Sequence, residues 1–303
     1  PRKTTYAKVT YTDIAGLDQD LGKTGLTGEL RNKIAPMDAF VHVVRAFDSD
    51  HVPHMLGSVD ARRDLERLEG EFILADMIGV ETRLERIDER LHKGAKAEER
   101  QMLAEDRELF ERLQSALAEG IPLRYLDLTP EQRSGLRGYG LLTLKPTLIL
   151  LNCGDDPVDP DTVLEADRPL TEVISLQGQL EMELSQLSPD EASMFMGEYG
   201  IAELALDRVI QASFRLTGLQ SFFTVGEDEV RAWNVRKGGS AVEAAGTIHT
   251  DLARGFIRAE VVAYADLIAA GSMAAARKAG QVRLEGKDYI VLDGDIVHIR
   301  FSV

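Results

Sequence analysis

The chain has 303 residues, enough for two or three domains, and its 44% hydrophobic content supports a sizeable core that aliphatic residues must carry, because aromatics make up only 6%. A formal net charge of −16 opposes a polyanionic partner unless the charge is uneven. It is uneven: residues 219–303 hold 10 Lys+Arg against 11 Asp+Glu, and the remainder holds 25 against 40, so DNA is not expected as a partner and any RNA contact is expected in the C-terminal segment. No apolar run approaches the roughly 18–20 residues that span a bilayer, no basic-then-apolar leader opens the chain, and the single cysteine, Cys153, excludes an internal disulfide and fits a reducing cytosol. A cytoplasmic protein with no membrane contact is the expectation.

Four stretches follow one another. In residues 1–63, the runs Ala7–Thr12 and Ala39–Val44 read as strands, the second almost continuously apolar as in a sheet covered on both faces. The Gly-rich loop and amphipathic stretch between them predict a βαβ unit. Residues 64–128 are dominated by helix. Leu65, Leu68, Phe72 and Ala75 step by three and four, as do Leu84, Ile87 and Leu91; the stripe resumes at Leu103, Asp106, Phe110, Leu113 and Leu117 beyond a Gly-containing turn at 92–96. Two such helices predict an antiparallel coiled-coil hairpin inserted into the α/β domain. Residues 129–218 return to α/β texture, with a buried-strand run at Thr147–Leu151, a weaker strand at Val173–Leu176, and helices from about Leu180 and over Ile201–Leu216. Residues 219–303 alternate short strands (Ser221–Val225, Arg231–Val235, Ile257–Val262, Tyr289–Val291, Ile296–Val303) with turns at Gly238-Gly239 and Asp293-Gly294 and one helix near Ala241–Leu252. That pattern suits a small β-grasp-like module.

Two motifs stand at the ends of strands, where open α/β sheets bind ligands. Asp13-Ile14-Ala15-Gly16 has the form Asp-x-x-Gly, in which an Asp oxygen holds the Mg²⁺ shell and a Gly amide approaches a terminal phosphate. A turn after a strand is its plainer reading. Asn152-Cys153-Gly154-Asp155 offers an Asn that can brace a loop and an Asp that can accept two N–H bonds from guanine; an ordinary turn is the alternative. Gly16 to Thr24 imitates a phosphate loop, but five residues separate Gly16 from Gly22 where such loops have four, and Asp18 and Asp20 would face an anionic ligand. This segment reads as a Gly-rich switch loop. His42, His51 and His54 cluster near the end of the second strand; His54, next to Pro53, is the candidate catalytic residue, and solvated loop histidine is the alternative.

With these residues in hand, the chain resembles the YchF-type, Obg-related P-loop nucleotidases. The resemblance is carried by Val9–Leu17, by His42–Phe47, by Gly138-Tyr139, by Leu142–Thr147 with Asn152, and most specifically by Phe222–Gly226, Glu229–Trp233, Ile248–Asp251, Gly255–Glu260 and Arg283–Val291. It implies a G domain, an inserted helical hairpin and a C-terminal TGS domain, with GTP or ATP as substrate, Mg²⁺ as cofactor, and the ribosome or ribosomal RNA as partner. It also implies nucleotide contacts at Asp13, Gly16, Asn152, Cys153 and Asp155, Mg²⁺ reached through Asp13, and water positioning by His54, since Leu17 stands where Ras-like enzymes place a glutamine. The family opens with a strand and a Gly-x-x-Asn-x-Gly-Lys-Ser loop. The present residues begin at Pro1 near the family's third strand and contain no such loop, so a G-domain sheet without its first strand and weak nucleotide binding are expected of them. Cys153 replaces the Lys of the guanine-reading motif, which leaves ATP and GTP both open. A nucleotide-independent adaptor, docking through hairpin and TGS domain, is the competing expectation.

Overall fold

A computed structural model describes residues 3–14, 26, 28–54, 56–94, 96–165, 168–198, 201, 203–226 and 228–302. The chain opens with β1 (Lys3–Thr5), followed by α1 (Gly28–Ile34), β2 (Phe40–Ala46) and two long helices, α2 (Ala61–His92) and α3 (Ala97–Ala118). Next come α4 (Pro130–Leu136), β3 (Thr147–Cys153), β4 (Thr171–Leu176), α5 (Gly178–Leu184), α6 (Pro189–Glu198) and α7 (Ala205–Thr217). The C-terminal part holds β5 (Leu219–Val225), β6 (Glu229–Arg236), α8 (Ala241–Ile248), α9 (Thr250–Arg254), β7 (Phe256–Ala263), α10 (Tyr264–Ala270), α11 (Met273–Lys278), β8 (Arg283–Glu285) and β9 (Asp295–Phe301). Two compact units result: Asp13–Ala212, and Pro1–Thr12 together with Ser213–Val303.

The first unit is built on a parallel sheet in the order β2-β3-β4. The central strand β3 is buried at six of its seven positions, which is why its sequence is a near-continuous apolar run. The buried stripe of α2 serves three clusters: Leu65 packs with Val44, Ile149 and Leu151 of the sheet, Phe72 and Ala75 with Ile34 and Leu142, and Val80 with Phe110, Leu113 and Leu117 of α3. The two helices are antiparallel, as the pairs Arg90–Glu99 and Arg83–Asp106 show. Asp106, the polar slot in the apolar stripe, is thereby explained: it sits opposite Arg83 at 2.6 Å. Asp60 caps α2 by accepting from the Arg63 amide, and Thr129 with Gln132 forms a capping box on α4.

The second unit is a mixed six-stranded sheet in the order β1-β6-β5-β9-β7-β8. Its core gathers Phe222, Val235, Ala244, Ala245, Phe256, Val261 and Val297 around α8. Gly255 is required there, because a Cβ would lie 2.2 Å from the Ser302 carbonyl oxygen.

Several expectations are corrected. Ala7–Thr12 is not a strand, and the βαβ unit expected within residues 1–63 does not form. The strand is Lys3–Thr5, and it pairs in parallel with β6 in the second unit. Side chains explain the choice: Thr5 Oγ1 donates to Glu229 Oε1 at 2.5 Å, Lys3 Nζ lies 3.4 Å from the same carboxylate, Asn234 Nδ2 donates to the Lys8 carbonyl, and Tyr11 Oη shares a 2.8 Å hydrogen bond with Ser213. Residues 1–12 therefore belong with the C-terminal unit and not with residues 13–63. Tyr289–Val291 makes only an isolated bridge from Ile290 to Ser240, and the strand in that region is β8. The helix near Ala241–Leu252 is two helices, broken where His249 turns extended and caps α9. Helices α10 and α11 pack Leu267, Ala270, Met273 and Ala276 against Val262 and Ile296.

Candidate nucleotide site at the ends of the parallel strands

All three strands of the parallel sheet end on one edge, and register places Arg45, Asn152 and Leu176 side by side there. Beyond β3 the chain turns through Gly154 and Asp155; beyond β4 it passes Gln177 and enters α5 at Gly178. Asn152 joins the two turns. Its Oδ1 accepts from the Gly178 amide at 3.1 Å, while Gln177 Nε2 donates to the carbonyls of Gly154 at 3.1 Å and Asp155 at 2.7 Å. A Cβ on Gly178 would sit 2.7 Å from Asn152 Oδ1, so the brace depends on glycine at that position. The segment Gln177-Gly178 is thus tied directly to Asn152. The signal available in the sequence was a glycine two positions beyond the strand that ends at Leu176.

The bracing leaves the Asp155 side chain exposed, and among the described residues its carboxylate has no partner. It is available to accept N–H groups from a ligand at this edge. Cys153 is placed differently from a contact residue. It is 4% exposed, its thiol donates to the Leu151 carbonyl and accepts from the Val158 amide at 3.4 Å, and it therefore holds the turn from within.

The loop after β2 carries His54. Arg45 organises this loop by donating to the carbonyls of Phe47 at 2.9 Å and Val52 at 2.7 Å, with its guanidinium over the Phe47 ring. His54 Nε2 lies 2.9 Å from Asp64 Oδ2 at the start of α2, and its Nδ1 accepts from the Leu56 amide at 3.2 Å. Both ring nitrogens are occupied, so in this arrangement neither faces a water or a phosphate. His42 points inward from β2, and burial, opposed by Asp64 and reinforced by Arg124, lowers its pKa to about 4, so it is neutral near pH 7.

Asp13 is exposed at the start of its unit. Gly16 and the imitation loop at Gly22-Lys23-Thr24 lie outside the described residues. No described hydrogen bond or ion pair joins Asp13 or His54 to the Asn152 cluster, so the structure ties together only the turns after β3 and β4. No group of three or more His, Cys, Asp or Glu suited to a metal ion occurs among the described residues. At this edge Asp155 offers an exposed carboxylate as acceptor, and for Mg²⁺ the described residues offer Asp13 as a single exposed carboxylate. No helix among the described residues is long and apolar enough to cross a membrane.

Comparison with known proteins finds relatives along the whole chain. The whole chain aligns with 43% identity to 84% of the ribosome-binding ATPase YchF of Bacillus subtilis (strain 168), and with 36% identity to 84% of the protein of the same name from Escherichia coli O157:H7. Among solved structures, the YchF GTPase of Schizosaccharomyces pombe superposes with a TM-score of 0.81 at 29% identity, covering 96% of this chain and 78% of that one. The profile of the YchF GTPase C-terminal region, described as a protein of unknown function, matches residues 219–302.

Proposed function

Because the chain belongs to the YchF family, we propose that it is a nucleotide-dependent, ribosome-docking protein of the P-loop GTPase/ATPase class, with the base side of its nucleotide site at Asn152, Asp155 and Gly178. The observation that carries this reading is the hydrogen bond from the Gly178 amide to Asn152 Oδ1. It clamps two loops at the C-terminal edge of a parallel sheet and presents Asp155 outward, an arrangement suited to reading a base edge. In this proposal Cys153 supports the turn, Asp13 and Gly16 serve the phosphate and Mg²⁺ side, and bound Mg²⁺ would neutralise charge on the terminal phosphates. Helices α2 and α3 are read as a coiled-coil arm and residues 219–303 as a TGS domain; together they are the ribosome-facing parts, in the cytoplasm.

Most triphosphate affinity in this class comes from phosphate-loop amides, a lysine and Mg²⁺. The 303 residues contain no Gly-x-x-x-x-Gly-Lys-Ser/Thr sequence. A polypeptide of these residues is therefore expected to bind ATP and GTP weakly in a calorimeter, and micromolar binding of either overturns that expectation. Co-sedimentation with ribosomes is expected at low salt. Sedimentation that is indifferent to nucleotide, even with a phosphate-loop segment of the family fused ahead of Pro1, favours the adaptor reading instead.

His54 is proposed to position the attacking water after its contact with Asp64 is released. In the same fusion, His54→Ala is expected to lower turnover with little change in nucleotide affinity. Unchanged turnover removes His54 from the mechanism.

A further inference from the structure

Three arginines line a cavity of about 330 Å³ between α1 and α2, to which no residue of the Asn152 cluster contributes. Arg31 comes from α1, Arg83 and Arg86 from α2, and Tyr139 closes one side. Gly79 makes the approach of Arg31 possible: a Cβ there would lie 2.9 Å from Arg31 Nη2, so the guanidinium rests on bare helix backbone. Arg83 stacks near the Tyr139 ring, 5.5 Å from its centroid, and its Nη2 bonds Asp106. Its Nε is buried with no hydrogen-bond partner. A buried unsatisfied donor costs about 1–3 kcal/mol and calls for a ligand or a structural reason.

Arg31 and Arg86 have no hydrogen bond or ion-pair partner among the described residues. Asp76 acts on Arg31 only at longer range, and its oxygens already accept from Leu142 and Thr143. The Thr82 hydroxyl is turned back to the Ile78 carbonyl, so the charged donors lining the cavity are the three guanidinium groups. Within a chain of net charge −16, three cations held together against one salt-bridged carboxylate form a local positive centre. Planar guanidinium forks match tetrahedral oxyanions through paired N–H bonds.

We propose that this cavity binds a phosphate group, carried either by a free phosphate anion or by a nucleic-acid backbone, and that the bound anion links α1 to α2. The proposal does not depend on the nucleotide site.

The test is isothermal titration of the full 303-residue chain at low salt in a phosphate-free buffer. One arm uses inorganic phosphate and the other an eight-nucleotide single-stranded RNA without terminal phosphates. At least one probe is expected to bind, and Arg31→Gln with Arg86→Gln is expected to weaken it at least tenfold. Lys237→Gln, in the other unit, is the control and is expected to change nothing. RNA binding that inorganic phosphate displaces identifies a backbone diester as the source, and phosphate binding without RNA binding identifies the free anion. Arg86→Gln alone changes only an exposed side chain, so a several-fold loss in it guards against misfolding of the double variant. The absence of binding by both probes, or affinities unchanged in the double variant, overturns the proposal.

Discussion

Replacing Arg124 with Ala is expected to lower the unfolding free energy by about 3–4 kcal/mol, near the lower end of the cost of breaking a buried ion pair by removing one partner. Arg124 is 1% exposed. Its Nη1 and Nη2 grip both oxygens of Glu69 on α2, its Nε donates to Thr171 Oγ1 on β4 at 3.0 Å, and its guanidinium lies over the Tyr125 ring. The side chain therefore connects the helical hairpin to the parallel sheet. Glu69 is the more accessible partner, at 20%, so water can reach part of the orphaned carboxylate, which is why the upper end of the range is not expected. Arg124→Lys keeps the charge and loses the fork, and it should recover only a fraction of the loss. Arg124→Met combined with Glu69→Leu removes both charges and should recover most of it. Urea unfolding of the four chains measures these differences. A double variant no better than Arg124→Ala would show that the loss is packing and not an uncompensated charge.

Asp76→Ala is expected to cost about 3 kcal/mol. Asp76 is fully buried in α2, where Oδ1 accepts from the Leu142 amide at 2.8 Å and Oδ2 accepts from the Thr143 amide and hydroxyl at 2.7 Å each. Alanine leaves two backbone donors without partners in a dry site, and each such donor costs about 1–3 kcal/mol. The same residue sets a pH dependence. Burial pushes its pKa above the ordinary value of 3.8 more strongly than the three donors and Arg31 pull it down. The folded chain thus holds the proton more tightly than the unfolded chain. The resulting stabilisation is fully present below pH 3.8 and is lost as pH rises through the folded pKa. Asp76→Asn cannot titrate, so the stability difference between wild type and Asp76→Asn should move against the wild type as pH rises from about 3.8. A constant difference across that window would show that the three donors outweigh burial.

The candidate site was partly legible. Asn152 at the end of an apolar strand suggested a brace, and the structure supplies its partner at Gly178. The sequence offers His54 as a catalytic candidate in a loop, and in the structure Asp64 and the Leu56 amide occupy its nitrogens. Cys153 was read beside the ligand and lies inside the turn. In both cases residue type suggested chemistry, but which way the side chain points depends on neighbours that a single strand pattern does not reveal.

What the sequence by itself determined is the local architecture. The three-and-four spacing from Leu65 to Leu117 specifies two helices with one apolar stripe each, and the unbroken run Thr147–Leu151 specifies a strand buried on both faces. These signals are legible because periodicity acts between residues a few positions apart. Only the tertiary structure decided that Lys3–Thr5 joins β6, that Asn152 clamps Gly178, that Asp76 holds the Leu142–Thr143 backbone, and that three arginines from α1 and α2 share one cavity. The hydrogen bonds involved join residues 224, 26 and 66 positions apart. The partner in such a bond is chosen by sheet register and helix placement once the core has formed, and no periodicity along the chain encodes it.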